Sequence, residues 1–454
     1  METLRSRISG ELIRPQDALY DEARAIWNGM IDRRPGAILR CRNTADVVEG
    51  VDFARNHDLL LAVKGGGHNV AGNAVCDGGL MLDLAPMREV VVDPEKKTVR
   101  AAGGCLLSDI DTATQAHGLA VSGGIVSHTG VAGLTLGGGF GWISRKYGFS
   151  VDNLLSAEVV TAGGEVLTAS EDENPDLFWG LRGGGGNFGV VTSFTFKCAE
   201  VGPDVFSGLI IQRFEDARAY MQFHADYVRS LPDEMTVWMV IRHAPPLSFL
   251  DSNIHGRLVI VVAFVYLGEK EKGEKLIRPI REFGKPHGEA LGMNPWTGWQ
   301  SGFDGLNTHG ARNYWKSHHL KELSGPCIDQ VIAYAQKMPT PDCEVFIPHM
   351  EGAPARVPVD ATAYSFRQTP FVLNIHTRWE NAEDDQRCMN WTQDFFKRTK
   401  RFANGVYVNF LSDEGGERVR QAYTAKAWKR LTDLKRRYDP QNLFRMNQNI
   451  PPTA

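Results

Sequence analysis

One imidazole follows directly after three consecutive glycines near the start of the chain. Gly65, Gly66 and Gly67 precede His68. Glycine has no Cβ, so its backbone takes positive φ values and lets another molecule approach closely. Successive N–H groups in such a turn form a concave nest that suits an anion such as a pyrophosphate. The apolar run at 59–63 predicts a buried strand that leads into this loop. Two readings follow: a phosphate-sized binding loop with a reactive ring, or an ordinary turn with a structural histidine.

Two further glycine clusters have the same character. Residues 123–141 hold eight glycines in nineteen positions, and a third cluster lies at 183–189. We expect 123–141 to be neither a regular helix nor a strand, because ordering so many glycines costs too much entropy. Irregular backbone of this length usually wraps something that holds it, and a cofactor is the simple candidate. Interleaved apolar residues such as Leu134 and Phe140 argue against a disordered linker.

Standard nucleotide motifs do not account for these loops. The sequence contains no G-x-x-x-x-G-K-[ST] motif, which excludes a P-loop NTPase. The dinucleotide fingerprint G-x-G-x-x-G also fails, since its last glycine would fall on Val70 in one loop and on Trp142 in the other. A Rossmann fold is therefore not supported, although a dinucleotide can still bind glycine-rich loops of another fold.

Length and composition place the chain among globular proteins. Its 454 residues predict two or three domains, and 43% hydrophobic and 23% charged residues are typical of a soluble protein. A net charge of −4 gives no electrostatic footprint for nucleic acid. Seven cysteines without a C-x-x-C indicate neither a disulfide framework nor a zinc site, so we expect no metal. The absence of a signal-like or membrane-spanning apolar run predicts a cytoplasmic location without a membrane partner.

Periodicity and capping residues predict elements along the first part of the chain. Asn43 or Thr44 is expected to cap a helix that follows a strand at 37–40. The remaining predictions are helices at 17–30 and 108–117, a hairpin of 88–93 with 98–102, and strands at 79–84, 157–160, 165–167 and 190–196.

Glycine becomes sparse after residue 204, and this change marks a second domain. Strands are predicted at 235–241, 258–266 and 371–376, and helices at about 214–231, 269–283 and 380–399. This mixture predicts an antiparallel sheet with helices on one face. The last segment is predicted to hold a strand at 406–410 and a basic amphipathic helix.

Five motifs together resemble the berberine-bridge-enzyme-like FAD-linked oxidases of the vanillyl-alcohol-oxidase superfamily. They occur in the family's order over essentially the whole chain, and bacterial members similar to 6-hydroxy-D-nicotine oxidase look nearest. The motifs are Gly65 to His68, Gly133-Leu134-Thr135-Leu136-Gly137-Gly138-Gly139, Arg182 to Gly189, Tyr407-Val408-Asn409 and Asp439-Pro440-x-Asn442-Leu443-Phe444.

The resemblance implies an α+β fold with a two-subdomain PCMH-type FAD-binding domain made from both chain ends, 1–203 and 405–454. It places an antiparallel-sheet substrate domain at 204–404. It also implies FAD as the cofactor, with His68 bonded to the flavin 8α-methyl; a neutral imidazole is a good nucleophile near pH 7. The other cofactor-binding residues implied are Gly65, Gly66, Gly67, Asn69, Val70, Gly72, Ser127, Thr129, Gly130, Gly133, Gly137, Gly138, Gly139, Gly141, Trp142, Gly189, Val191, Tyr407 and Asn409.

The sequence departs from the family at two positions. Many members have a second flavin link through a cysteine, but Val126 stands at that position, so we expect a single covalent bond. Plant members use a tyrosine as catalytic base, and this chain has Phe410 there. The usual base therefore cannot be assigned.

A replacement base is sought on the strand predicted at 371–376. The period of two places Val372, Asn374 and His376 on one face, and the matching strand of the family faces the flavin. We therefore take His376 and Asn374 as catalytic candidates, with a solvent-facing polar edge as the alternative. Tyr407 is a further candidate, on the cofactor side in the family. The stretch 314–318 either lines the pocket or reflects ordinary core and surface alternation.

The sequence thus predicts an FAD-dependent oxidase. A substrate C–H bond gives a hydride to the flavin, and O₂ returns the reduced flavin with release of H₂O₂. The missing tyrosine favours an amine over an alcohol or a sugar, because the amine lone pair drives hydride loss without a strong base. A dehydrogenase with another acceptor and a catalytically silent flavin-binding protein are the alternatives. The partners expected are a small-molecule substrate and O₂, in a monomer or homodimer.

Overall fold

The computed structural model describes residues 2–453 and has an α+β architecture built on four β-sheets. Its strands are β1 Glu11–Ile13, β2 Ala37–Arg40, β3 Leu61–Lys64, β4 Leu80–Asp83, β5 Val90–Asp93, β6 Thr98–Ala102, β7 Leu119–Ala120, β8 Leu154–Val160, β9 Val166–Ser170, β10 Val190–Lys197, β11 Ala199–Glu200, β12 Asp204–Arg213, β13 Met235–His243, β14 Leu258–Tyr266, β15 Gly288–Pro295, β16 Arg312–Leu320, β17 Glu344–Ile347, β18 Phe371–Trp379 and β19 Ala403–Gly405.

Helices connect and cover these strands. The α-helices are α1 Glu2–Arg5, α2 Tyr20–Arg24, α3 Thr44–Asn56, α4 Leu107–Gln115, α5 Val131–Leu136, α6 Ser144–Tyr147, α7 Ser150–Asn153, α8 Pro175–Leu181, α9 Ala217–Ser230, α10 Lys270–Arg281, α11 Trp296–Ser301, α12 Gly325–Ala335, α13 Ala353–Arg356, α14 Asp385–Thr399, α15 Gly416–Arg420 and α16 Ala425–Tyr438. Short 3-10 turns lie at Phe214–Asp216, Asp304–Leu306, Val359–Ala361, Ala382–Asp384, Lys400–Phe402 and Val408–Phe410.

Two sheets form the part of the molecule that carries the glycine-rich loops. The first has the order β1-β2-β4-β3, with β2, β4 and β3 parallel and β1 antiparallel. The second is antiparallel with the order β5-β6-β10-β8-β9. Both share one apolar core, which also takes in side chains of α16 such as Leu431 and Leu434. The end of the chain therefore packs back against its beginning.

An eight-stranded antiparallel sheet organises residues 204–405, with the order β15-β12-β14-β13-β17-β18-β16-β19. Side chains alternate between its faces because a strand repeats every two residues. Val237, Met239 and Ile241 of β13 point to one face, where α9, α10, α12 and α14 cover the sheet in a single apolar core. Trp238, Val240 and Arg242 point to the other face and line a cavity. Helices thus lie on one face, as predicted, and the second face is free for a site.

Most predicted elements are confirmed, with end shifts of a few residues. Asn43 caps α3 by accepting a hydrogen bond from the backbone N–H of Asp46. The hairpin β5–β6 pairs Val90 with Ala101 and Asp93 with Thr98. The seven cysteines are free and buried, as expected for small apolar side chains. Among residues 2–453, no helix has the length and apolar character needed to span a membrane.

Three local predictions are wrong. The helix predicted at 17–30 is confined to Tyr20–Arg24, because the side chains of Trp27 and Asn28 lie outside it and donate to the backbone carbonyls of Asn307 and Asn313. The segment 123–141 does contain one short helix, Val131–Leu136, between its glycines. The strand predicted at 406–410 is a 3-10 turn, Val408–Phe410, after the short strand β19. There the side chains of Tyr407 and Asn409 make hydrogen bonds with Gly139 and Leu134 of the glycine-rich loop.

Candidate active site

A cavity of about 370 Å³ lies between the glycine-rich loops and the open face of the eight-stranded sheet. The loops at 65–69, 124–136 and 184–191 line one side, and strands β13, β14, β16, β17 and β18 line the other. The C-terminal segment closes it with Phe444, Met446, Asn447 and Gln448. The three glycine clusters that stand far apart in the sequence therefore meet at one site.

Four side chains form a row across the sheet. Strand register pairs Arg242 with Glu344, Glu344 with His376, and His376 with Trp315. The Nδ1–H of His376 donates to Oε1 of Glu344 at 2.9 Å, and Nη1 of Arg242 donates to Oε2 of the same carboxylate at 2.9 Å. The ring of Trp315 meets the His376 ring edge-on, with centroids 4.1 Å apart. The register thus fixes the orientation of His376 from both sides.

This arrangement leaves one nitrogen of His376 available. Its Nε2 is buried and has no hydrogen-bond partner among residues 2–453. Burial lowers the pKa of His376 below its usual value, and Glu344 only partly offsets this. Burial acts to raise the pKa of Glu344, but the hydrogen bond from His376 and the charge of Arg242 lower it below its usual value. Glu344 is therefore ionised, and His376 is a neutral ring that can accept a proton at Nε2.

Asn374 and a group of aromatic rings complete the sheet side of the cavity. Asn374 is buried, and its side-chain Oδ1 also has no partner in the described part of the chain. The solvent-facing alternative for Asn374 and His376 is thus excluded. Of the stretch 314–318, Trp315 lines the cavity, whereas His318 stacks on Phe396 at the helix face. The other aromatic lining residues on this side are Trp142, Trp238, Phe140, Phe303, Phe346 and Phe410.

His68 lies in a cluster of rings on the loop side. Its Nε2 is 2.7 Å from Nδ1 of His128, its ring stacks on Trp27 at 5.1 Å, and His309 approaches edge-on at 5.6 Å. Burial, then the neighbouring His128 and His309, hold the pKa of His68 well below its usual value, so the ring is neutral. One nitrogen from each histidine lies within 4.8 Å of the others, a grouping that could hold a metal ion and that sequence spacing did not indicate.

Glycines around the cavity serve two purposes. A Cβ on Gly66, Gly130, Gly139 or Gly141 would collide with other parts of this chain, so these glycines let the loops pack together. A Cβ on Gly133 or Gly186 would meet nothing within 4 Å, and both residues line the cavity. At these two glycines the backbone borders open space without a side chain. Asn374 and Asn447 also have side-chain polar atoms without a partner. Both features suit a ring-bearing ligand with polar edges.

The structure brings most predicted site residues to the cavity. The predicted residues that line it are Gly65, Gly66, Gly67, His68, Asn69, Thr129, Gly130, Gly133, Trp142, Gly189, Val191, Asn374, His376, Tyr407 and Asn409. The predicted residues outside the lining are Val70, Gly72, Ser127, Gly137, Gly138, Gly139 and Gly141. These shape the loops: the carbonyl of Val70 accepts from Asn28, for instance, and Gly72 has a φ of 75°.

The geometry argues against Tyr407 as a proton acceptor. Its hydroxyl accepts hydrogen bonds from the backbone N–H of Gly139 and from Nδ2 of Asn409, each at 3.0 Å. Burial raises the pKa of Tyr407 to about 12, so the phenol stays protonated at neutral pH. Asn409 also donates to the carbonyl of Leu134 at 3.0 Å. This pair joins the C-terminal segment to the glycine-rich segment 123–141.

A buried ion pair explains the motif near the chain end. Lys435 and Asp439 have fully buried side chains, 2.7 Å apart. The ammonium also donates to the carbonyls of Asn187 and Phe444, and the carboxylate accepts from the backbone N–H groups of Leu443 and Phe444. Every partner is satisfied, which makes such a pair tolerable inside a protein. It holds the C-terminal segment against the third glycine-rich loop.

Sequence reasoning missed Glu344, Arg242, His128 and His309 as site residues. Glu344 begins a short apolar strand, and a lone carboxylate next to Val345 and Phe346 was a usable signal. Its pairing with His376 depends on a strand register that no local pattern reveals. His128 lies within the segment compared with the family's cysteine loop, but only the fold shows its contact with His68.

Family comparisons identify the protein class that this fold and site define. Residues 35–170 match the family described as FAD binding domain, and residues 406–451 match the family described as berberine and berberine like. The chain is 32% identical over 431 residues to an FAD-linked oxidoreductase of Dictyostelium discoideum, covering 94% of this chain and 91% of that protein. It belongs to the berberine-bridge-enzyme-like family of FAD-linked oxidoreductases, enzymes that oxidise small substrates.

Individual relatives extend this result. The chain is 30% identical over 462 residues to (R)-6-hydroxynicotine oxidase of Paenarthrobacter nicotinovorans, covering 98% of this chain and 97% of that enzyme. The crystal structure of 6-hydroxy-D-nicotine oxidase from Arthrobacter nicotinovorans superposes with a TM-score of 0.86 at 27% identity, covering 98% of each chain. A xylooligosaccharide oxidase from Myceliophthora thermophila shares the fold, with a TM-score of 0.88 at 24% identity over 100% of this chain and 99% of that one.

Proposed function

We propose that this enzyme is an oxidase whose single covalent FAD link is at His68, and that His376 accepts the substrate proton. FAD held in this cavity would supply an acceptor for a hydride from a substrate carbon, and its reoxidation by O₂ would release H₂O₂. The observation that carries the proposal is the neutral, unpartnered Nε2 of His376 on the sheet face opposite His68. We further propose that 1–203 and 405–454 bind FAD and that 204–404 bind substrate.

In this proposal, residues on one side of the cavity bind the cofactor and residues on the other side bind the substrate. The loops at 65–69 and 184–191 hold the cofactor through bare backbone, and Tyr407 and Asn409 brace the loop behind it. On the opposite side, Glu344 keeps the proton of His376 on Nδ1, so that Nε2 faces the substrate with a lone pair. Asn374 offers an unpartnered amide oxygen for a substrate N–H or O–H. The aromatic walls exclude water and favour a ring-bearing substrate.

A single flavin link agrees with the lining beside His68. Val126 lines the cavity at the position where the family resemblance places a second, cysteine link. Glucooligosaccharide oxidase of Acremonium strictum, which shares the fold at 23% identity, is described as having a 6-S-cysteinyl, 8α-N1-histidyl FAD. An aliphatic side chain cannot form the sulfur bond, so His68 remains as the attachment point.

An amine is the substrate class that we favour. A neutral His376 can take the proton of an ammonium group, and the free amine then has the lone pair that assists hydride loss. The 30% identical relative is named for 6-hydroxynicotine, a ring-bearing amine. The cavity holds no tyrosine at the base position, where Phe410 lies instead.

The test measures flavin reduction and reoxidation separately. A panel of (R)-6-hydroxynicotine, other cyclic amines, secondary alcohols and xylobiose is mixed anaerobically with the holoenzyme in a stopped-flow instrument, and air is then admitted. We expect an amine to reduce the flavin, and O₂ to reoxidise it with one H₂O₂ per turnover. His376→Gln should slow reduction by about 10²–10⁴-fold, the usual contribution of a positioned base.

A matched control separates this effect from general damage. His318 is also a buried strand histidine of the same sheet, but it faces the helices, so His318→Gln should leave the reduction rate per flavin unchanged. Turnover of sugars without amines would contradict the substrate class, and slow reoxidation in air would indicate a dehydrogenase. No reduction by any member of the panel, with flavin bound, would favour the silent flavin-binding alternative.

A further inference from the structure

The hydrogen bond between His68 and His128 joins two of the loops that line the cavity. Nε2 of His68 and Nδ1 of His128 are 2.7 Å apart, a short distance for two ring nitrogens. The loop before His128 is fixed in turn, since the backbone N–H and the hydroxyl of Ser127 donate to the carboxylate of Asp304 at 2.8 and 2.5 Å. The contact is therefore part of the folded loops and not an accident of two mobile side chains.

The surroundings assign the proton positions on both rings. The backbone carbonyl and the carboxylate of Asp304 favour the protonated form of His128, although burial, the largest effect, holds its pKa below the usual value. Because Nδ1 of His128 faces His68, we assign the proton of His128 to Nε2, the ring nitrogen turned away from His68. Nδ1 of His128 is then an acceptor, and Nε2–H of His68 donates to it. Nδ1 of His68 keeps the lone pair and has no hydrogen-bond partner within residues 2–453.

We propose that His128 is the proton acceptor for covalent attachment of the flavin, which takes place at Nδ1 of His68. This inference rests on the proposed single link. A bond forms between Nδ1 and the 8α carbon, one C–H bond of that methyl group breaks with loss of its proton, and two electrons remain on the flavin. The attached ring would be a cation, and its Nε2 proton passes to Nδ1 of His128. O₂ then takes the two electrons together with two protons, equal in number to those released by the methyl group and the imidazole, and becomes H₂O₂.

Position and exposure suit His128 to this role. A base is most useful when its pKa lies near neutral pH and it lies within hydrogen-bond distance of the proton it removes. The His128 ring is only partly buried, so the proton it receives can pass on to water. Its other charged or titratable neighbours are His309, whose ring centroid is 5.0 Å away, and Arg378, whose charge acts to lower the pKa of His128. Neither makes a hydrogen bond with His68.

The experiment follows attachment and not turnover. Wild-type enzyme and variants are purified from riboflavin-limited cells and mixed with FAD in air, and intact mass gives the fraction of chains that carry FAD after denaturation. His128→Ala should attach FAD at least about 100-fold more slowly while still binding it non-covalently, as expected for loss of a base. Free imidazole should accelerate this variant and leave the wild type unchanged. NMR of the digested flavin peptide should show the bond at Nδ1.

Two further variants distinguish the possible roles of the cluster. His128→Asn offers an oxygen that can accept the His68 hydrogen bond but cannot take its proton at neutral pH, so it should remain slow. His309→Ala removes the other neighbouring ring and should attach FAD at nearly the wild-type rate. Addition of a chelator should change nothing, whereas acceleration by a chelator would assign the cluster to a metal ion instead.

Three results would overturn the inference. They are attachment by His128→Ala at the wild-type rate, full activity of His128→Asn in attachment, and a flavin peptide bonded at Nε2. A wild-type enzyme that never retains flavin after denaturation would remove the proposed link itself. That result is distinguishable because it concerns the wild type and not the variants.

Discussion

His376 has one nitrogen committed to a carboxylate and one free, and this asymmetry makes it a candidate base. Glu344 would also stabilise the protonated ring after proton transfer, because the two groups are 2.9 Å apart in a buried site. Arg242 shares the same carboxylate and limits that effect. The pH dependence of substrate oxidation should therefore follow His376 and respond to Glu344.

The expected profile has a single limb on the acid side. Burial holds the pKa of His376 below its usual value of 6.5. The value of kcat/KM should therefore be flat near pH 7. It should fall once the pH drops below the pKa of His376, because the ring then becomes protonated. Glu344→Gln removes the charge that favours the protonated ring, which lowers the pKa of His376 further. The acid limb of the kcat/KM profile should then move to lower pH, and kcat should fall. Steady-state assays of the wild type and the variant across about pH 4.5–8 would measure both changes.

A limb that stays in place in Glu344→Gln would show that another group controls the reaction. A limb that moves to higher pH would contradict the assigned contact between Glu344 and His376. Arg213→Gln, on strand β12 of the same sheet but separated from β17 by two strands and outside the cavity lining, is a control that should leave the profile unchanged.

Among the elements, α11 shows how the part at 204–404 packs against the part that carries the glycine-rich loops. Its Trp296 and Gln300 donate to the two carboxylate oxygens of Asp111, which lies on α4, at 3.3 and 3.2 Å. Gln300 also donates to the carbonyl of Gly124 in the second glycine-rich loop. A buried carboxylate therefore joins a helix of each part directly behind the cavity.

Burial raises the pKa of Asp111 from its usual 3.8 to about 6, and the two hydrogen bonds offset this only in part. The folded protein thus holds this proton more tightly than the unfolded chain. The stability that this tighter proton binding gives the folded protein is fully present below the ordinary pKa of an aspartate. It is lost as the pH rises from about 4 to 6, at a cost of about 3 kcal/mol for a shift of roughly two units. Asp111→Asn should flatten the stability profile across that interval.

Urea unfolding at several pH values would measure this slope. Asp109→Asn, on the exposed side of the same helix, is the matched control and should leave the slope as in the wild type. An unchanged slope in Asp111→Asn would contradict the assignment, whatever the absolute stability of the variant.

The elements also show what sequence could and could not predict. Alternation along β18 placed Asn374 and His376 on one face, because that periodicity is a local property of a strand. The pairing of Glu344 with His376 joins residues 32 positions apart and depends on sheet register, which no local pattern encodes. The strand predicted at 406–410 failed because contacts of Tyr407 and Asn409 with a distant loop replaced pairing in the sheet.

At the scale of the whole molecule, the site exists only because two parts of the chain face each other. One buried contact between them is the pair of Arg367 and Asp152, where Nη2 and Oδ1 are 2.6 Å apart. The guanidinium also donates to the hydroxyl of Thr362, and Asp152 also accepts from the backbone N–H of Phe149. The glycine clusters predicted a bound cofactor, but the residues that hold the two parts together have no sequence signature.

Arg367→Ala should destabilise the protein by about 3–5 kcal/mol, because it leaves the Asp152 carboxylate buried without its partner. Arg387→Ala is the control: this arginine pairs with Asp384 at the surface, where loss costs about 0–1 kcal/mol. Denaturant unfolding of the holoenzymes compares the two. A loss of less than about 1 kcal/mol for Arg367→Ala would show that this contact does not hold the two parts together.

The central claim is that FAD lies in this cavity, attached to the chain at His68 alone. Intact mass of the denatured, purified wild type tests it most directly. The account predicts a mass greater than that of the polypeptide by one FAD, and its loss in His68→Ala while FAD still binds the folded variant reversibly. A denatured wild type at the bare polypeptide mass, or a His68→Ala variant that keeps its flavin after denaturation, would contradict it.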